Sequence, residues 1–199
     1  MDPIRLAGEL VAIPSPTGEE GRLADRLAAL FDRSPFDVRR QTAAPGRDNL
    51  FIVAGEEAPR VVLCTHMDTV PGEVEARDDA ARLFGRGACD AKGSLAAMAA
   101  AAFRLADRGR LGFGLLFVVG EETDSIGART ADSLGTGSGA LIVGEPTGNR
   151  LGLGHKGALF VKLSVSGRRA HSALPHLGES AIETLLADVG TYRVFWQSY

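Results

Sequence analysis

The sequence predicts an α/β fold: a mostly parallel central sheet flanked by helices, followed by the start of a smaller α+β domain. Three observations support this. The runs Val61–Thr65, Phe113–Val119 and Ala140–Val143 are short, continuous and rich in Val, Leu and Ile, as expected of parallel strands buried on both faces. Stretches of helical period alternate with them, which implies strand–helix–strand crossovers. Near residue 157 the pattern changes: Leu159, Val161, Leu163 and Val165 alternate with polar neighbours such as Lys162 and Ser164, as in a half-exposed strand. The reading therefore divides the chain into residues 1–157 and 158–199.

Taken in order, residues 3–13 and 19–32 are amphipathic and helical. Ser15-Pro16-Thr17-Gly18 interrupts them, and Thr17 with Glu20 matches a capping box at the start of the second helix. Residues 49–54 and 60–65 are strand patterns across the polar turn Gly55-Glu56-Glu57-Ala58-Pro59. Gly85-Arg86-Gly87-Ala88 is a loop, and Lys92 to Arg108 is an alanine-rich helix stopped by Gly109. The strand at 113–119 leads to a helix near 125–134, a Gly/Ser/Thr loop and the strand at 140–143. Beyond the alternating strand at 158–166 comes a helix from about 178. The apolar Val194-Phe195-Trp196 near the end suggests a chain cut within its second domain.

Composition excludes several classes. A chain of 199 residues can bury roughly 70% of its unfolded surface and needs no staples to fold. A net charge of −3, with no Lys/Arg cluster interleaved with aromatics, argues against nucleic acid as a partner. Cys64 and Cys89 form no CxxC pair, and Cys64 lies within a strand pattern, so the reading is a reduced, cytoplasmic protein. The N-terminus lacks the basic and apolar regions of a signal peptide. The longest apolar run, Leu95 to Phe103, has nine residues, against ~20 for a bilayer span. No membrane partner is expected.

The chemistry lies where the strand patterns end, which is where open α/β sheets place their ligands. The first run ends at His66, with Asp68 two residues on; the second at Glu121-Glu122; the third at Glu145. Asp90 stands on a glycine-flanked loop just before the alanine-rich helix. Imidazole and carboxylates are the donors of a hydrolytic metal site with an open position for water. Two such metals need a bridging carboxylate, and a further carboxylate takes the water's proton. Asp68 is placed to orient His66 through its other ring nitrogen. After Gly120, Glu121 and Glu122 are expected on a turn, leaving one free to bind metal and the other to hold water. Gly85-Arg86-Gly87 does not read as a nucleotide loop, because Asp90 takes the place of the third glycine and no Gly-Lys-Ser/Thr follows.

His66-Met67-Asp68-Thr69-Val70-Pro71, Gly85 to Gly93 (Gly-Arg-Gly-Ala-Cys-Asp-Ala-Lys-Gly), Glu121-Glu122 and Gly144-Glu145-Pro146-Thr147 together resemble the M20 metallopeptidase/deacylase family. Its members include acetylornithine deacetylase, succinyl-diaminopimelate desuccinylase, aminoacylase and glutamate carboxypeptidases. Gly167 to His176 resembles the start of that family's lid, or dimerisation, domain. The resemblance implies a zinc-peptidase-like catalytic domain over 1–157 and a truncated lid over 158–199. It implies His66 and Glu145 on one zinc, Asp90 as the bridge, Glu122 on the second zinc, Glu121 as general base, and Asp68 orienting His66. His171 would help hold the oxyanion, and the Asp90–Ala91 peptide would be cis. Two Zn2+ per complete site are implied, with Co2+ an alternative.

The short span from His66 to Asp90, together with the Gly144–Thr147 and His155-Lys156-Gly157 segments, looks most like the family members that release lysine or ornithine from an amino-group carrier protein. The implied substrates are thus small N-acyl amino acids or an acylated carrier protein, with a homodimer formed through the lid. Dipeptidases and carboxypeptidases of the same family are the neighbouring alternative. The family also supplies a second-metal His after the lid, and a substrate-binding Arg within it. The chain's histidines, His66, His155, His171 and His176, include none in the first of those places. That departure implies weak second-metal binding and little activity for this chain alone, or a non-catalytic fragment acting through binding or dimerisation.

Overall fold

The computed structural model describes the chain apart from residues 56–57, 80–81, 155, 158–160 and 198–199, and describes the backbone alone at 194–197. The chain forms two compact units, Met1–Leu151 and Gly152–Tyr199.

The first unit opens with α1 (Pro3–Val11), where Asp2 Oδ1 caps the Ile4 N–H at 2.9 Å and Pro3 takes the first turn. Then come α2 (Gly21–Phe31), β1 (Phe36–Ala44), β2 (Arg47–Ala54) and β3 (Val61–His66). A two-residue ribbon, β4 (Arg77–Asp78) with β5 (Leu83–Phe84), precedes α3 (Lys92–Asp107). The unit continues with β6 (Phe113–Val118), α4 (Ile126–Ala131) running into a 3-10 turn at Asp132–Leu134, and β7 (Ala140–Val143).

The sheet order is β1-β2-β6-β3-β7. The strands β6, β3 and β7 are parallel, and β1 and β2 add an antiparallel hairpin on one side. The hairpin's outer strand, β1, was not anticipated: its apolar Phe36 and Val38 are separated by Asp37 and followed by Arg39-Arg40. Register places Leu50, Ile52, Leu115 and Phe117 on one face. There they pack with Leu10, Leu23, Leu27, Phe31, Leu95 and Phe103 of α1, α2 and α3 in the main core. Phe31 stacks on Phe103 at 4.8 Å and meets Phe36 edge-on at 5.0 Å. The other face holds Phe51, Val53, Val62, Leu116 and Val118, covered in part by Ala131 and Leu134.

The expectation that 140–143 is buried on both faces is corrected. Among the described residues β7 pairs with β3 alone, and Leu141, Ile142 and Val143 are 56%, 54% and 56% exposed. Its apolar composition matches a central strand, but its position is an edge.

The capping-box reading is corrected as well. α2 begins at Gly21 with Glu20 at the cap position and no side-chain cap bond, because Thr17 and Glu20 bond tertiary partners instead.

The second unit contains a 3-10 turn at Pro175–Leu177 and α5 (Ala181–Gln197), with Arg168 bridging Glu179. Part of the half-exposed strand read over 158–166 is corrected: no strand forms over 161–166 among the described residues. Residues 158–160 lie outside the described residues, and 161–166 pair with no strand among the described residues, leaving Val161 49% and Leu163 40% exposed. Alternation alone makes no strand without a partner ladder. Among the described residues, no helix is long and apolar enough to cross a membrane.

Candidate metal centre

The carboxyl ends of β3 and β6 lie side by side, since His66 is in register with Val118. His66 is therefore carried to the end of the sheet next to the turn that follows β6. The chain turns at Gly120, whose φ of 74° is left-handed and whose Cβ would meet Arg47 Nη2 at 2.8 Å, so glycine is required there. Behind this turn, buried Asn49 accepts the Val119 N–H at 3.1 Å and donates to Gly127 O at 2.8 Å. It thereby ties β2 to both ends of the connection into α4.

His66 is buried, and each ring nitrogen has a partner. Nδ1 lies 2.9 Å from the main-chain oxygen of Asp68, and Nε2 lies 2.8 Å from Asp90 Oδ1. The Asp68 carboxylate is 3.5 Å from Nδ1, so its main-chain oxygen is the closer partner of the ring. That carboxylate is fully buried and collects other donors: Thr17 Oγ1 at 2.7 Å, the Glu121 N–H at 3.0 Å and the Glu122 N–H at 3.1 Å. Sequence reasoning missed Thr17 because a plausible helix cap accounted for it.

His66, Asp90 and Glu122 each bring one ligand atom within 4.8 Å of the others. Glu121 Oε2 stands 4.0 Å from His66 Nε2 and is half exposed. Glu145 follows β7 through Gly144, whose N–H bonds Cys64 O at 2.8 Å and whose O accepts from Thr65 Oγ1 at 2.8 Å. This ladder brings Glu145 toward the same acids, outside the three-residue group. His171 belongs to the second unit, where it is exposed and its Nδ1 accepts the Ala173 N–H at 3.1 Å. His155 lies outside the described residues. The Asp90–Ala91 peptide is cis.

Electrostatics describe a site short of positive charge. Burial raises the Glu122 carboxyl, and the neighbouring charges of Asp90 and Glu121 raise it further. Burial likewise raises Glu145, joined by Asp90, Glu121 and Glu122. Burial alone would lower His66, but the Asp68 and Asp90 carboxylates outweigh it and lift the imidazole to about 9. Burial opposes the Asp68 anion too, yet His66, Thr17 and the two amides bring it down to about 2. Imidazole and carboxylate oxygens crowded at one sheet end fit a divalent cation, which would neutralise them.

Comparison with known proteins agrees with this architecture. A peptidase M20 domain-containing protein of Schizosaccharomyces pombe is 39% identical over 191 residues, covering 92% of this chain and 48% of that protein. A protein of Aeropyrum pernix named as a LysW-lysine/LysW-ornithine hydrolase is 37% identical over 177 residues, covering 87% and 49%. The chain thus spans about half the length of the curated relatives it matches. Among solved structures, a tripeptidase from Staphylococcus aureus superposes with a TM-score of 0.67 at 24% identity, covering 94% of this chain and 55% of that one. A dinuclear metal-binding M20 peptidase of Bacillus subtilis gives 0.56 at 16% identity, covering 71% and 41%. These two likenesses concern the fold. The model described as peptidase family M20/M25/M40 matches residues 62–192. With its sheet, its acidic strand ends and these relatives, the chain belongs to peptidase family M20/M25/M40.

Proposed function

We propose that this chain carries the metal-binding half of an amide hydrolase that removes an acyl group from an amino acid, or releases lysine or ornithine from a carrier protein. One observation carries the reading: His66 Nε2, Asp90 and Glu122 converge within 4.8 Å at the carboxyl end of a parallel strand pair. The relative named as a LysW-lysine/LysW-ornithine hydrolase supports the carrier-protein substrate.

His66, Asp90, Glu122 and Glu145 would hold the metal, with Asp90 as the bridge if two ions bind; zinc suits these donors, and cobalt is the alternative. Bound there, the metal would polarise the scissile carbonyl and acidify water. The rest of the chemistry belongs to side chains. Glu121 is half exposed and 4.0 Å from the His66 Nε2, outside the three-residue ligand group, which suits it to take a proton from water and hand it to the leaving amine. Asp68 fixes the ring through Nδ1 and fixes the Glu121–Glu122 main chain through its carboxylate. His171 would steady the oxyanion from the lid. On α5, Ile182, Leu186 and Val189 recur at i, i+4 and i+7 and are 73%, 66% and 45% exposed, which supports a lid that dimerises. The free thiols of Cys64 and Cys89 suit a reducing, cytoplasmic setting.

The test is elemental analysis of the 199-residue chain, paired with hydrolysis of N-acetylornithine and N-acyl-lysine by the protein that carries it. About one metal or more per chain, lost in His66→Ala, is expected. A chain that takes up no divalent metal would refute the reading.

A further inference from the structure

The connector Ser15–Glu20 joins α1 to α2; Glu20 O accepts the Ala24 N–H of α2 at 2.9 Å, while Ser15 and Thr17 bond residues 67–69 instead. Ser15 Oγ donates to Met67 O at 2.9 Å, the Thr69 N–H donates to Ser15 O at 2.9 Å, and the Thr17 N–H donates to Thr69 O at 3.1 Å. Pro16 and Thr69 form a parallel bridge. The connector therefore lies like a short strand along residues 67–69, the segment that continues β3 past His66.

From this base two of its polar side chains, Thr17 and Glu20, reach toward the metal centre by different routes. Thr17 Oγ1 donates to Asp68 Oδ2 at 2.7 Å. The same carboxylate holds the amides of Glu121 and Glu122, one on each oxygen. A rotation of the Asp68 carboxylate would break both amide bonds, and the Thr17 hydroxyl opposes that rotation. Glu20 is fully buried and accepts Arg47 Nε at 2.9 Å and Nη2 at 2.7 Å. Arg47 Nη2 in turn occupies the space that a Cβ on Gly120 would need, 2.8 Å from its place, at the base of the turn carrying Glu121 and Glu122. A buried carboxylate held bidentately is costly to form unless its geometry is well defined. Here that geometry backs the turn.

We infer that Thr17 and Glu20 are positioning residues of the metal centre: Thr17 locks Asp68, which holds the Glu121 and Glu122 amides, and Glu20 locks Arg47 beside Gly120. The inference rests on the metal-centre reading above, but it concerns the placement of the turn, which can be measured without metal.

Thr17→Val removes the hydroxyl at nearly constant volume, and Thr17→Ser retains it; should valine not fit, Thr17→Ala removes the same group. In the metal-free chain, Thr17→Val should shift the Glu121 and Glu122 amide resonances and speed their hydrogen exchange. Amides of β2 and α3 should stay protected, and Thr17→Ser should restore the native pattern. With Co2+ as the probe, Thr17→Val should weaken binding about 10–100-fold, the range for groups that orient metal ligands. Glu20→Gln should likewise shift the amides from Gly120 to Glu122. Unmoved Glu121 and Glu122 amides in Thr17→Val overturn the role of Thr17, and unmoved amides in Glu20→Gln overturn that of Glu20. An unaltered chain with no affinity for Co2+ overturns the metal reading, and the amide result still decides the positioning.

Discussion

The imidazole Nε2 of His66 lies 2.8 Å from Oδ1 of Asp90, joining the end of β3 to the turn that opens α3. Without metal this contact acts as an ion pair, because the Asp68 and Asp90 carboxylates lift the imidazole against its burial to about 9. His66 therefore stabilises the metal-free fold fully below its ordinary value of 6.5, and that contribution is lost as pH rises toward 9. Asp68, lowered from 3.8 to about 2, contributes above 3.8 and loses its contribution as pH falls toward 2. The raised Glu122 and Glu145 carboxyls add a loss as pH rises above 4.5, so urea midpoints in EDTA should be highest between those limits, slope down across them and fall further on both sides. A midpoint that climbs from pH 6.5 to 9 would contradict the pairing.

Glu121→Gln and Glu122→Gln should separate two roles within one turn. In the complete protein, Glu121→Gln is expected to keep its metal and lose about 100-fold or more in kcat. Glu122→Gln should instead weaken metal binding. Calorimetric metal titration beside steady-state kinetics checks both, and equal metal loss in the two variants would refute the division.

The aromatic cluster under α2 should carry much of the fold's stability. Phe31 is fully buried and contacts Phe36, Phe103 and Phe117 at ring distances of 5.0, 4.8 and 6.5 Å. Phe31→Ala should cost about 3–5 kcal/mol, read as a lowered urea midpoint. A cost below about 1 kcal/mol would mean that the site collapses without leaving a cavity.

Leu141→Lys tests the open edge. Leu141 is 56% exposed on a strand that, among the described residues, is bonded on one side. A charge there should change stability by less than about 0.5 kcal/mol, read as an unmoved urea midpoint. A midpoint that falls well beyond that would show this face to be covered.

The parallel core was legible because buried strands must be apolar throughout, and Val61–Thr65 and Phe113–Val119 meet that requirement. β7 shows the limit of that signal: its composition is that of a buried strand, but exposure depends on what lies beside it. β1 escaped notice because a hairpin strand with one open face tolerates Asp37, Arg39 and Arg40. His66, Asp90 and Glu122 could be singled out because metal chemistry restricts residue type, and the fold does bring those three together. Thr17 and Arg47 could not, since a hydroxyl near a helix start and an arginine on a strand have commoner local uses. Only the tertiary partners, Asp68 and Glu20, separate those uses from the observed one.

The pairing of β3 with β6 has a consequence for how this chain folds. The two strands are joined in parallel across the whole of α3, so His66 meets the Glu121–Glu122 turn only after a long loop has closed. Contacts of that span form slowly and late. No short stretch of sequence can assemble the ligand set by itself. Cation uptake during refolding would therefore report that β3 and β6 have paired, and its lag behind helix formation would time that long-range association.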